Sequence, residues 1–369
     1  MITYVDTRLN AGIVNAGLFV CCLICFGGHP AYSELAKTPA EFEDYVGGIA
    51  FLLEGEVCLS RLNGGDISRL TQTDGEIRDF RFSPDLKYLA CATAFGMVEA
   101  PGLWENEEEV PETEIWSIDI VNLITMTAVA EIEPQGDWLH FAKWFASDKL
   151  IYYSSSGFDI SGYFQYDAET NTIETLDYFE GNRLAVADIS VDGNQVLYVD
   201  DAGLGKDFHY RLHVLNLNTN DDRIIASRKR ILNQGFSHDL KSVAFVEVQS
   251  NPDKPVAIVW IYNMENDETE KLITLPAKTK GNSSISWSSG DSCLGLFYAP
   301  SYRPNGYILT LADPSDVHEL SGRQFSWVGD HTIVYSRGAS DIFLYDLKDR
   351  KETLLIKKAT SPAYLKRAN

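Results

Sequence analysis

The sequence predicts an all-β chain, a seven-bladed β-propeller of four-stranded antiparallel blades with the first blade closed by the C-terminal strand. Three observations predict it. A turn-and-strand motif recurs six times, a second strand motif recurs seven times, and the chain ends supply complementary halves of the missing copy.

The first motif is clearest in Phe82–Ala92, FSPDLKYLACA, where a polar turn built on Pro and Asp leads into an apolar run. It returns at Trp144 (WFASDKLIYYS), Ile189 (ISVDGNQVLYV), Phe236 (FSHDLKSVAFV), Trp287 (WSSGDSCLGLFY) and Trp327 (WVGDHTIVYSR). Each copy opens on a large apolar anchor, passes a short turn containing Asp, and enters a run of Val, Leu, Ile, Tyr and Phe. Asp with Gly, Ser or Pro supplies the backbone angles and side-chain acceptors that a tight hairpin needs. The spacing of roughly 40 to 60 residues is that of propeller or solenoid repeats.

A third strand follows each run and ends in an Asp, Asn or Ala turn. Its copies are VCLSRLNGG at Val57, EIWSIDI at Glu114, GYFQYDA at Gly162, RLHVLNLN at Arg211, VWIYNME at Val259, GYILTLAD at Gly306 and DIFLYDLK at Asp341. A weaker outer strand comes next, as in ISRLT near Ile67, IETLDYF near Ile173 or EKLITLP near Glu270. Four antiparallel strands per repeat describe a propeller blade.

Seven third strands but six anchored turns leave one blade incomplete, and the termini resolve the mismatch. Gly48–Leu53 is a second strand without a first, and the position near Glu43 where its anchor would fall is polar. Ser361–Leu365 is a first strand without a second. Joining them closes the ring and removes a templating edge. Residues 46–369 therefore read as one propeller domain, preceded by a short lead-in over 34–45. Polar insertions at Glu99–Glu114 and Asp200–Tyr210 sit between second and third strands, where loops are tolerated.

Residues 1–33 read as a signal peptide, with an N-terminal anchor as the competing reading. The apolar run Ala11–Gly28 is followed by Ala31 and Ser33, a small-x-small site that places cleavage before Glu34. Either way the propeller is expected to be exported, periplasmic or secreted. Cys21, Cys22 and Cys25 lie in the leader; Cys58, Cys91 and Cys293 remain inside strand patterns and read as small buried hydrophobes. Pairing of Cys58 with Cys91 stays open at this stage.

The formal charge is −22, which repels nucleic acid and anionic membrane and suits a soluble monomer. Chemistry is hard to find in the chain. It has no G-x-S-x-G elbow and no Cys/His cluster with zinc spacing. Gly235–Asp239 sets Ser, His and Asp side by side, but inside one of the repeat turns. His209 and His213 stand four apart in a strand, which lines one face without making a chelating pair. No cofactor and no metal are expected, and no catalytic residue is assigned.

One constellation points to binding. Six residues before their anchors, Trp138, Arg183 and Arg230 enter the ring from one axial end, and Glu76 matches them. Two guanidinium forks beside an indole suit a carboxylate.

The F/W-S-P-D-G-x-x-I/L-A-F turn-strand followed by I/L-Y-x-x-D resembles the repeat of TolB-like propellers. It is also similar to the propeller domains of the dipeptidyl peptidase IV and prolyl oligopeptidase families. Phe82–Asp85 with Leu89-Ala90, Ile189–Val199, and Phe236-Ser237 with Val243–Phe245 carry it, over about Val46 to Leu365. The departures are plain: no N-terminal α/β domain, no C-terminal hydrolase, and seven blades where TolB-like proteins have six. The resemblance implies a non-catalytic scaffold that binds a partner protein or peptide. The alternative it carries is a carbohydrate-active lyase or hydrolase of the oligogalacturonate lyase type.

Overall fold

The computed structural model describes residues 3–4, 38–73, 76–99, 112–132, 138–155, 161–176, 185–203, 207–249, 256–276, 283–298, 305–322, 324–337 and 341–366. The expected leader, apart from Thr3 and Tyr4, and Arg183 lie outside them.

Seven antiparallel sheets form seven blades, each built outward from its first strand. Blade two is Glu76–Phe82, Tyr88–Glu99, Glu112–Asn122 and Thr127–Ile132. Blade three is Trp138–Phe145, Lys149–Ser155, Ser161–Asp167 and Thr172–Thr175, with Thr3–Tyr4 lying parallel on its outer edge. Blade four is Ala185–Ile189, Gln195–Ala202, His209–Asn216 and Asp221–Arg228. Blade five is Ile231–Phe236, Ser242–Gln249, Val256–Asn263 and Glu268–Pro276. Blade six is Ser283–Trp287, Cys293–Tyr298, Asn305–Thr310 and Asp313–Leu320. Blade seven is Phe325–Trp327, Thr332–Arg337, Asp341–Asp346 and Lys351–Lys357. Two expected insertions are partly strand: Glu112–Glu114, and Asp200–Ala202 with His209–Tyr210, extend the ladders they were read as interrupting.

Blade one is made from both ends of the domain. Thr360–Tyr364 pairs with Ile49–Leu53, Ile49 opposite Tyr364 and Ala50 opposite Ala363, followed by Glu56–Ser60 and Ser68–Arg69. The core proves the closure. Among the described residues it divides into seven apolar clusters, each filled from two consecutive blades, and the last joins Val334 and Ile342 of blade seven to Ile49 and Phe51 of blade one. A sheet buried on both faces needs apolar residues at successive positions, so second strands such as Val243–Val246 are buried throughout.

The anchors do more than fill space. Trp144, Trp287 and Trp327 donate their indole N–H groups to the carbonyls of Arg81, Gly235 and Ser286, each one residue before the anchor of the preceding blade. The three bonds measure 3.0, 3.0 and 3.3 Å. A buried indole needs such an acceptor.

Cys58 and Cys91 do not pair. Cys58 packs toward blade seven and Cys91 lies in the cluster between blades one and two, so they occupy different interfaces. Burial pushes the Cys58 thiol up to about 11.

The lead-in contains a short helix, Pro39–Glu43, which the sequence reading left unassigned. Thr38 and Glu41 cap it reciprocally, and Phe42 is buried and stacks on Phe82 with ring centroids 6.2 Å apart.

Candidate functional site

Antiparallel order gives the ring two different ends. At the turn face, first strands pass to second strands and third strands to fourth. At the loop face, second strands end, third strands begin, and one blade hands over to the next.

On the turn face, acidic and amide side chains hold backbone. Asp85, Asp192 and Asp239 each accept a Ser hydroxyl at 2.7, 2.5 and 2.7 Å, and each also accepts a backbone N–H at 3.0 Å. The Lys241 N–H and then the Ser237 hydroxyl hold the Asp239 carboxyl below the usual carboxylate range. Asn122, Asp167, Asn216 and Asn263 close the third-to-fourth turns, each accepting N–H bonds from the residues two and three positions on. Each turn then ends at a residue with φ between 53° and 60°: Met126, Asn171, Asn220 and Asp267. Adjacent turns are tied as well. Asp291 of blade six accepts the His238 and Asp239 N–H groups of blade five at 2.9 and 3.0 Å.

The loop face uses its charges differently. Thr93, Asp200, Glu247 and Arg337 sit at one repeated position, four residues beyond the residue that pairs with each anchor. All four engage other side chains. Thr93 donates to the buried Asp119 at 2.8 Å. Asp200 accepts from Arg211 Nε at 2.8 Å and lies 3.2 Å from His213 Nε2. Burial alone would raise the Asp200 carboxyl, but Arg211 and His213 hold it below its ordinary value. His213 stacks on Tyr198 at 4.4 Å, and the Tyr198 hydroxyl donates to Asp222 at 2.6 Å. Arg337 and Tyr335 both donate to Glu352, and the guanidinium lies 4.3 Å over the Phe343 ring.

The densest group joins blades four and five. Arg228, at the end of blade four, lies 4.8 Å over the Trp260 ring and 3.4 Å from Glu247 of blade five. Trp260 Nε1 and Gln249 Nε2 donate to Glu247 at 3.0 and 3.1 Å. Phe208 and Tyr210, packed edge to face at 5.2 Å, stand half-buried on the same end of blade four, and Tyr210 pairs across the strands with Arg228. Lys229 and Arg230 follow directly. This shoulder therefore gathers arginine and half-exposed aromatic rings, the combination enriched at the energetic centres of protein interfaces.

The sequence-derived rim falls at this end of the ring. Trp138 opens the first strand of blade three opposite Ser155, and Arg230 immediately precedes that of blade five, its carbonyl accepting the Val248 N–H at 3.1 Å. Glu76 opens blade two opposite Ala94 and is bonded by Arg78 at 2.5 Å. Each of these stands opposite the same position of its second strand. The register survives because blades two to five each carry one bulge in the first strand, at Arg78, Ala142, Ala187 and Asn233. Arg183 lies outside the described residues, two positions before Ala185. Trp138 and Arg230 are separated by blade four. The shoulder itself, Arg228 with Trp260, Glu247 and Tyr210, was missed from sequence; its signal was the run Arg228-Lys229-Arg230 in an acidic chain. Among the described residues no group of three His, Cys, Asp or Glu side chains is placed to hold a metal ion.

No protein family and no curated protein matches the chain in sequence. Solved structures match in fold. A functionally unknown protein from Desulfotomaculum acetoxidans is 11% identical, with 87% of this chain and 99% of that one aligned at a TM-score of 0.55. A prolyl endopeptidase is 13% identical over 87% of this chain and 51% of its own, at a TM-score of 0.51. TolB from Acinetobacter baumannii is 15% identical over 86% and 81%, at 0.45. The chain spans about half of the endopeptidase. The likenesses with TM-scores above 0.5 concern the fold alone.

Proposed function

We propose that this protein is an exported recognition propeller that binds a protein or peptide partner on its loop face, at the shoulder of blades four and five. One observation carries the reading: Arg228 laid on Trp260 beside Glu247, with Tyr210, Phe208 and Arg230 around it. A guanidinium stacked on an indole is held flat at low entropic cost, with its edge available to a carboxylate. Arg230, together with Arg183, which lies outside the described residues, would add charge-assisted bonds to an acidic side chain or peptide carboxylate. The rigid ring leaves this end free to specialise.

The mature protein, immobilised, should capture its partner from the exported fraction of its host. Replacing Arg183 and Arg230 together by Ala should weaken capture about tenfold or more, at roughly 1 kcal/mol per charge-assisted bond, and leave the melting temperature nearly unchanged. Equal capture by the double variant at low salt would remove this mouth from the function. Lost capture with a lowered melting temperature would make the arginines structural.

A further inference from the structure

A second surface lies elsewhere in the ring. Residues 348–369 hold seven Lys or Arg against two Asp or Glu, whereas the whole chain holds 31 against 53. Cations are therefore concentrated in and around the last strand of blade seven, with Lys366 and Arg367 following the closing strand. Lys348, Lys351, Lys357, Lys358 and Lys366 are exposed. Among the described residues no carboxylate pairs with any of them, while Arg350 pairs with Asp316 of blade six.

The backbone between these lysines is open too. Lys351–Lys357 is the terminal strand of its sheet, and Lys351, Glu352, Thr353 and Leu354 are exposed in succession, Leu354 to 42%. Lys348 and Lys351 stand at the turn-face end, Lys357 and Lys358 at the other. An unpaired ladder flanked at both ends by unneutralised ammonium groups repels a basic strand and attracts an acidic one.

We infer that the outer edge of blade seven docks an extended acidic segment of a partner protein by strand addition. Edge lysines commonly serve only to prevent association; here their charge opposes that of the rest of the molecule, so the same groups select a partner by sign. Two copies of this edge repel one another, which excludes symmetric self-pairing through it.

A fluorescein-labelled (Glu-Val)5 peptide, titrated with the full mature protein at low salt, tests this by anisotropy and hydrogen exchange. Binding should fade with salt, slow amide exchange within Lys351–Lys357, and fall at least about tenfold in the double variant Lys351→Glu/Lys357→Glu. A (Lys-Val)5 peptide should not slow exchange within Lys351–Lys357, wherever else on the acidic surface it binds. Absence of binding by the acidic peptide would overturn the inference, as would equal binding by the charge-reversed variant or protection confined to another blade. If the lysines are guards alone, the variant aggregates and neither peptide protects the edge. Capture by the shoulder of blades four and five is read separately, since the Arg183→Ala/Arg230→Ala variant should bind (Glu-Val)5 normally.

Discussion

The two ends of this ring use the same residue types for opposite ends. On the turn face Asp239 and Asp291 accept backbone N–H groups that have no other partner, so neither carboxylate can leave without unmaking a turn. On the loop face Asp200 and Glu247 form ion pairs with guanidinium groups whose side chains remain 35% and 29% exposed in Arg211 and Arg228. The difference is one of emphasis, since turn-face Asp167 and Asp267 also pair with Lys149 and Arg223, but it teaches where to look for function: a carboxylate that holds backbone belongs to the fold.

The largest expected effect tests what both ends share. Deleting Ser361–Asn369 removes the fully buried Leu365 and the strand opposite Ile49–Leu53, costing about 3–5 kcal/mol, as for the loss of a large core side chain. Urea denaturation measures it, and an unchanged midpoint would detach both faces from ring closure. Trp287→Phe comes next. It keeps the ring but orphans the Gly235 carbonyl, at about 1–3 kcal/mol in the same assay.

The comparison itself is tested by a pair of variants. Asp291→Ala strips two N–H groups of the neighbouring turn and should cost about 1–2 kcal/mol, the usual loss for a capping side chain. Arg228→Ala should cost less than about 1 kcal/mol, since the buried Glu247 keeps its bonds from Trp260 and Gln249 and a cation–π contact is modest. If Arg228→Ala destabilises as much as Asp291→Ala, the two faces do not differ in kind.

The smallest effect is in acid. Asp239 has a carboxyl lowered in the folded state, so its contribution is present above the unfolded value near 4 and is lost as pH falls through the lower folded one. Melting temperature should therefore decline below about pH 4, and Asp239→Asn should decline less steeply over that window.

The turn face was legible in the sequence because its chemistry is local. Ser237 and Asp239 lie two residues apart and bond each other and the adjoining backbone, so the motif and the structure are nearly the same object. Closure was legible for a related reason: a strand at each end lacked its neighbour. The shoulder was not. Arg228, Glu247 and Trp260 come from three strands of two blades, and no period in the chain announces that they meet. Nor did the sequence announce the bulges at Arg78, Ala142, Ala187 and Asn233, since an extra residue in a strand leaves no compositional mark. The described rim positions Glu76, Trp138 and Arg230, counted six back from an anchor, kept their register across them. Helix Pro39–Glu43 did carry a signal, the Thr-Pro-x-Glu capping sequence.

Blade one also sets an order of events. Ile49 and Tyr364 are paired although more than three hundred residues separate them, so the ring cannot shut until residues 360–364 have been made. Blades two to seven can assemble as short-range hairpins while the chain emerges, but blade one waits for its closing strand, at a loop-closure entropy that grows with the logarithm of length. Until then Ile49–Leu53 is an exposed apolar strand with a free edge, the segment of a nascent chain that a chaperone would be expected to hold. Closure of the ring is thus also the step that removes this exposed edge, and its rate should depend on how quickly residues 360–364 become free to pair.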